Sequence, residues 1–94
     1  MPIKFVTDDG LYCPRIYCDV CGLEIDDCQK GNVCHPGTDP VFVHKGDCDR
    51  SQPRDKQYPW VELRHFMVYL GNNVGFKGKV ARQAWEDARD MAGL

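Results

Sequence analysis

The chain has 94 residues, a net charge of −2 and six cysteines. That length suits one domain with a modest core, the size at which a metal or disulfides commonly supply missing stability. No apolar run approaches the roughly 20 residues of a membrane span, which excludes a helical transmembrane protein. The N-terminus, Met1 to Asp9, lacks the basic start and long apolar stretch of a secretory signal. A cytoplasmic protein is therefore expected, where thiols stay reduced and clustered cysteines tend toward metal rather than disulfides.

Ile3-Lys4-Phe5-Val6 alternates as a short strand and is ended by Asp8-Asp9-Gly10. Pro14 to Tyr17 reads as extended chain leading into Cys18-Asp19-Val20-Cys21-Gly22, where Gly22 suits the positive φ of a zinc knuckle. Residues 31–35 and 40–44 read as two strands, and Pro36-Gly37-Thr38-Asp39 supplies turn chemistry for a hairpin. Residues 49–58 are polar and read as a linker.

Beyond the linker the apolar period becomes helical. Trp60, Leu63, Phe66, Met67, Leu70 and Val74 fall near one face, with Pro59 in the first turn and Gly71-Asn72-Asn73 as a stop. A second helix is expected from about Lys79 to Met91, with an apolar stripe of Val80, Ala84, Trp85, Ala88, Met91 and Ala92. The fold class expected is a small α+β protein in which a zinc-stapled finger, a knuckle plus a β-hairpin, precedes two amphipathic helices. Residues 1–52 would form the finger half with its N-terminal strand. Residues 53–94 would form a helical half packed on it, within a single domain.

The chemistry centres on Cys18-x2-Cys21, 22 intervening residues, and His44-x3-Cys48. Zn²⁺ takes four nitrogen or sulfur ligands in a tetrahedron, and two close pairs joined by a hairpin supply them. One structural zinc on Cys18, Cys21, His44 and Cys48 is the expectation. A redox pair at Cys18 and Cys21 would call for a surrounding βαβ pattern, which is missing. Disulfides conflict with the expected compartment, and His44 as an ordinary strand histidine leaves the paired spacing unexplained. Cys13, Cys28 and Cys34, with His35 beside Cys34, lack a second paired signature. They read as thiols outside the site, with a second metal site or a ligand exchange as the alternative.

Cys18-Asp19-Val20-Cys21-Gly22, followed by Val41-Phe42-Val43-His44-Lys45 and Cys48-Asp49, resembles the first zinc half of LIM domains and other treble-clef fingers. The resemblance spans about residues 15–52. It implies a knuckle, a hairpin and a short helix whose start supplies the last ligands. The chain departs from the LIM pattern in its three-residue His–Cys spacing and in having helical sequence where the second zinc half would stand. The local fold and ligand roles carry over, and LIM partner specificity does not.

With four protein ligands the site is closed, so a structural metal and no enzymatic activity are expected. No His-Glu-x-x-His and no deaminase signature is present. Two functions fit. A protein-interaction module suits the amphipathic helices and the aromatics Tyr58, Trp60, Phe66, Tyr69, Phe76 and Trp85, although packing accounts for most of those rings. Nucleic-acid binding would draw on Arg50, Arg54, Lys56, Arg64, Lys77, Lys79 and Arg82. Such dispersed charges commonly form a solvated surface. Residues 1–50 hold five Lys/Arg against nine Asp/Glu, and a three-thiolate zinc site would add about −1. That finger is poorly built to grip phosphates.

Overall fold

A computed structural model describes residues 2–51 and 59–92, with side chains through Met91. The strands form two small antiparallel sheets. The first has the order β1 (Ile3–Asp8), β2 (Leu11–Tyr17), β3 (Glu24–Ile25). β1 and β2 form a full hairpin from Ile3↔Ile16 to Asp8↔Leu11. Asp9 and Gly10 turn it with φ of 49° and 81°, the double positive φ that tight two-residue hairpins use. The sequence reading found both extended segments and the turn but not their pairing.

The second sheet is built on β4 (Gly31–Cys34), which follows a short 3-10 turn at Cys28–Lys30. β4 pairs with β5 (Val41–His44), so the expected hairpin forms, with Cys34 opposite Val41 and Gly31 opposite His44. A four-residue helix, α1 (Asp47–Arg50), follows β5 and occupies the start of the segment read as linker. On its other side β4 pairs with β6 (Trp60–Glu62), giving the order β5-β4-β6. This corrects the helical assignment of Trp60. Trp60, Val61 and Glu62 have an apolar-apolar-polar pattern compatible with either period, and the unpaired edge of β4 decides it by offering backbone partners. Pro59 accordingly precedes a strand instead of opening a helix, and its carbonyl accepts from His35 N–H at 3.0 Å.

Helix α2 (Leu63–Asn73) ends where the Gly71-Asn72-Asn73 signal places it, and α3 (Gly78–Ala92) covers the second expected helix. Of the six residues expected on the first helix's apolar face, Leu63 is fully buried and Phe66 is half-buried against the ring of Phe42, edge to face at 5.5 Å. Met67, Leu70 and Val74 stay exposed. The core comprises Cys18, Ile25, Val33, Cys34, Phe42, Val43 and Leu63. It lies beside the second sheet, where α2 packs on β4 and on the 3-10 turn. On α3, Ala81, Ala84 and Ala88 are half-buried while Val80, Trp85 and Met91 face outward. Arg54, Lys56, Tyr58 and the side chain of Ala92, invoked above, lie outside the described residues. No helix among the described residues is long and apolar enough to cross a membrane.

Candidate metal centre

Four side chains from three places converge. Cys18 and Cys21 come from the loop between β2 and β3, His44 from the end of β5 and Cys48 from α1. Their ligand atoms all lie within 4.8 Å of one another, a cluster able to hold a metal ion. Cys21 Sγ is 3.4 Å and Cys48 Sγ 4.0 Å from His44 Nδ1. A tetrahedral zinc with bonds near 2.3 Å to sulfur sets neighbouring ligands about 3.5–3.8 Å apart. The donor set, three soft sulfurs and one imidazole, is also what zinc selects.

Local backbone chemistry explains the convergence. In the knuckle, Gly22 N–H donates to Cys18 C=O at 3.0 Å, and Cys18 N–H to Leu23 C=O at 2.9 Å. The amides of Val20 and Cys21 point at Cys18 Sγ from 3.4 and 3.5 Å. Gly22 takes the expected positive φ of 76°. Asp19 fastens the knuckle to β5. Its N–H donates to Phe42 C=O at 2.7 Å, and its carboxylate accepts from Phe42 N–H at 2.8 Å. Gly46 makes the second turn, with φ 94° and ψ −126°, a conformation essentially closed to other residues. That turn swings Cys48 back toward His44.

The proton of His44 is placed by Glu24. A carbonyl can only accept, so His44 Nε2–H donates to Glu24 C=O at 3.0 Å. Nδ1 then carries the lone pair and faces the thiols, the orientation that a carbonyl partner imposes on metal-binding histidines. The same bond is the main cause raising the His44 pKa, against burial, with Cys18 adding to it.

The thiols are electrostatically unequal. Burial opposes ionisation of Cys18, but the amides of Cys21, His44 and Val20, together with the His44 side chain, bring it down to about 6. Burial and then the neighbouring Cys18 and Cys21 push Cys48 up to about 11. Three thiolates this close repel one another, and a divalent cation among them removes the conflict.

None of the six cysteines forms a disulfide. Among the described residues no second group of His, Cys, Asp and Glu gathers in this way. Cys34 is buried, with its thiol toward Asp49 Oδ1 at 3.8 Å. Cys28 and His35 are exposed, and Cys13 is half-buried. Sequence reasoning named Gly22 but missed Asp19, the Glu24 carbonyl and Gly46. An Asp inside Cys-x2-Cys and a Gly inside His-x3-Cys were the available signals.

Comparison with family models, with curated proteins and with solved structures finds no match for this chain.

Proposed function

We propose that the chain is a treble-clef-like zinc finger whose metal is structural, and that it works as a protein-interaction module. The observation that carries this reading is the cluster of Cys18, Cys21, His44 and Cys48, whose ligand atoms all lie within 4.8 Å of one another. With four protein ligands engaged, no position is left for water or substrate, which is the mark of a structural zinc. Cys18, Cys21, His44 and Cys48 would hold the ion, and its contribution is to lock the knuckle, β5 and α1 together. The order of knuckle, hairpin and short ligand-bearing helix supports the treble-clef reading and the likeness to the first LIM zinc half.

The partner reading rests on the apolar surface. Met67, Val68, Tyr69, Leu70, Val74 and Phe76 are all exposed on and after α2. A groove of about 770 Å³ between β2 and α3 is lined by Leu11, Tyr12, Ala84, Ala88 and Met91 among others. Contiguous apolar surface on a small protein commonly marks a contact site. A nucleic-acid partner is the weaker reading. Arg50 is paired with Asp47 and Arg64 with Glu62, so two of the candidate phosphate-binding cations already have carboxylate partners.

Native mass spectrometry of the purified protein tests the metal assignment, with one zinc per chain expected. Zero or two zincs would overturn it. Pulldown of a discrete protein partner, lost on mutation of Tyr69 and Leu70 to Ser, tests the second half. Salt-dependent binding to mixed DNA and RNA would replace it with the nucleic-acid reading.

A further inference from the structure

β1 is the edge strand of its sheet, and among the described residues only β2 pairs with it. The register shows which of its backbone groups face outward. Tyr17 N–H donates to Pro2 C=O at 2.6 Å, and these two residues stand one step beyond the Ile3↔Ile16 pair. Antiparallel partners alternate between hydrogen-bonded and non-bonded pairs. Lys4, Val6 and Asp8 therefore bond to β2, while Ile3, Phe5 and Thr7 turn their N–H and C=O groups outward. Pro14, which has no N–H, stands opposite Phe5 in a non-bonded pair, where β2 owes β1 no donor. Side chains alternate as well. Lys4, Val6 and Asp8 share one face of the sheet. Ile3, Phe5 and Thr7 share the other with Tyr12, and there Ile3, Phe5 and Tyr12 are exposed, Phe5 by 70%. An open edge six residues long, flanked by exposed apolar side chains, is a template for another strand.

We propose that β1 pairs antiparallel with β1 of a second copy of this chain, about a twofold axis at Val6, joining the two sheets into one. The occupant is read from the strand's own sequence. With Val6 opposite its counterpart, Lys4 stands opposite the partner's Asp8, and Asp8 opposite the partner's Lys4. Phe5 then exchanges both backbone hydrogen bonds with the partner's Thr7, and Thr7 with the partner's Phe5. Charge selects this arrangement. Parallel in-register pairing would set Lys4 against Lys4 and Asp8 against Asp8, and like charges directly opposite are destabilising. Asp8 already accepts from Arg15 at 3.3 Å, but its side chain is 59% exposed and Arg15 is shared with Glu24. Lys4 Nζ lies over the Tyr17 ring at 5.2 Å and its residue stands opposite Arg15, a like charge. The partner's Asp8 offsets that repulsion. An edge lysine ordinarily keeps other strands away, and here it admits the strand that brings a carboxylate at the matching position. On the opposite face the two exposed Phe5 rings meet diagonally across the axis. Both copies use the same edge, so the assembly closes at the dimer. The inference goes beyond the partner reading above, which concerns α2 and the groove beside α3, and does not depend on it.

The test is sedimentation equilibrium of the metal-loaded full chain at low salt, over a concentration series reaching the millimolar range, with amide NMR spectra of the same samples. A reversible monomer–dimer equilibrium is expected, with concentration-dependent amide shifts centred on residues 3–8. Thr7→Pro removes an outward N–H and no donor that β2 uses. It should weaken the dimer roughly tenfold or more while the β1–β2 hairpin signals stay in place. Lys4→Asp and Asp8→Lys should each weaken it by a similar factor, through like charges across the axis. Mixed in equal amounts, those two variants should form a heterodimer, because their charges are again complementary. A folding defect in either chain would not produce that rescue. A chain that stays monomeric at millimolar concentration would overturn the proposal. So would a dimer that survives Thr7→Pro, one lost instead with Leu70→Ser on α2, or charge variants that do not rescue one another. Zinc content and capture of a protein partner are read separately, so the proposed function stands or falls on its own measurements.

Discussion

The region around the candidate metal ligands, called the finger below after the proposed reading, and helix α3 are built by opposite means. Among the described residues, every buried core side chain lies in the span from Cys18 to Leu63, and the four candidate ligands lie within the same span. Helix α3 has 15 residues, and among its described side chains none is fully buried, with Val80, Trp85 and Met91 facing outward. The finger is stabilised by a few long-range fastenings, each involving residues distant in sequence. The helix relies on local hydrogen bonds and a lightly covered alanine stripe. A small core with concentrated fastenings should fail at single points, whereas α3 should tolerate substitution.

The largest expected effect is metal loss. Structural zinc contributes on the order of 10 kcal/mol or more in finger peptides, comparable to the whole stability of a domain. Chelation, or Cys18→Ser, should therefore unfold the two sheets, seen as collapse of the amide dispersion of residues 18–48. An unchanged spectrum after verified metal loss would break the comparison. Because the thiols must lose protons to bind, metal affinity should also fall as pH drops from 7.5 to 5.5, measured by competition with a chromophoric chelator.

Next in size is Leu63→Ala. Leu63 is 2 % exposed, and truncating such a residue costs about 2–5 kcal/mol. Urea unfolding of the metal-loaded protein should show it, while Met91→Ala on α3 should fall within about 0.5 kcal/mol of the parent. Equal losses would mean that α3 is as tightly held as the finger.

Gly31→Ala follows. A Cβ there would come within 2.9 Å of Leu63 Cδ2 and 3.0 Å of Ile25 Cγ2, and overpacking of this kind costs about 1–3 kcal/mol. Asp19→Ala should cost a similar amount, about 1–3 kcal/mol, by leaving the Phe42 N–H without its carboxylate partner. Its separate signature is weaker metal binding, since Asp19 docks the knuckle on β5. A stability loss with unchanged metal affinity would show that the knuckle holds its geometry unaided.

The smallest effect concerns Glu62. Its folded pKa lies below the ordinary 4.5, mainly through Lys45. The sign follows: a depressed folded pKa means stabilisation present above about 4.5 and lost as pH falls through the folded value. Glu62→Gln should remove that contribution, and direct NMR titration of the carboxyl should give a midpoint under 4.5. A midpoint at or above it would show that the Lys45 pairing does not persist in solution.

Legibility in the sequence followed the range of the interaction. Cys18-x2-Cys21 and His44-x3-Cys48 could be read because each pair is local and the metal's tetrahedron supplies the rule connecting them. The turn at residues 36–39 and the stop at Gly71 to Asn73 are likewise set by neighbouring residues, and the structure places them as read. Trp60 was misassigned because three residues cannot distinguish the two apolar periods, and only the bare edge of β4 makes them a strand. The outward face of Met67 and Leu70 was equally hidden, since periodicity gives the apolar side of a helix but not whether anything covers it. Composition, spacing and turn chemistry thus determined a small α+β chain with one cluster of candidate metal ligands. Tertiary structure alone decided the tautomer of His44 through the Glu24 carbonyl, the docking of Asp19 on β5 and the open outer edge of β1. Each of these depends on which backbone groups lie across a sheet or loop, and a linear sequence does not record that.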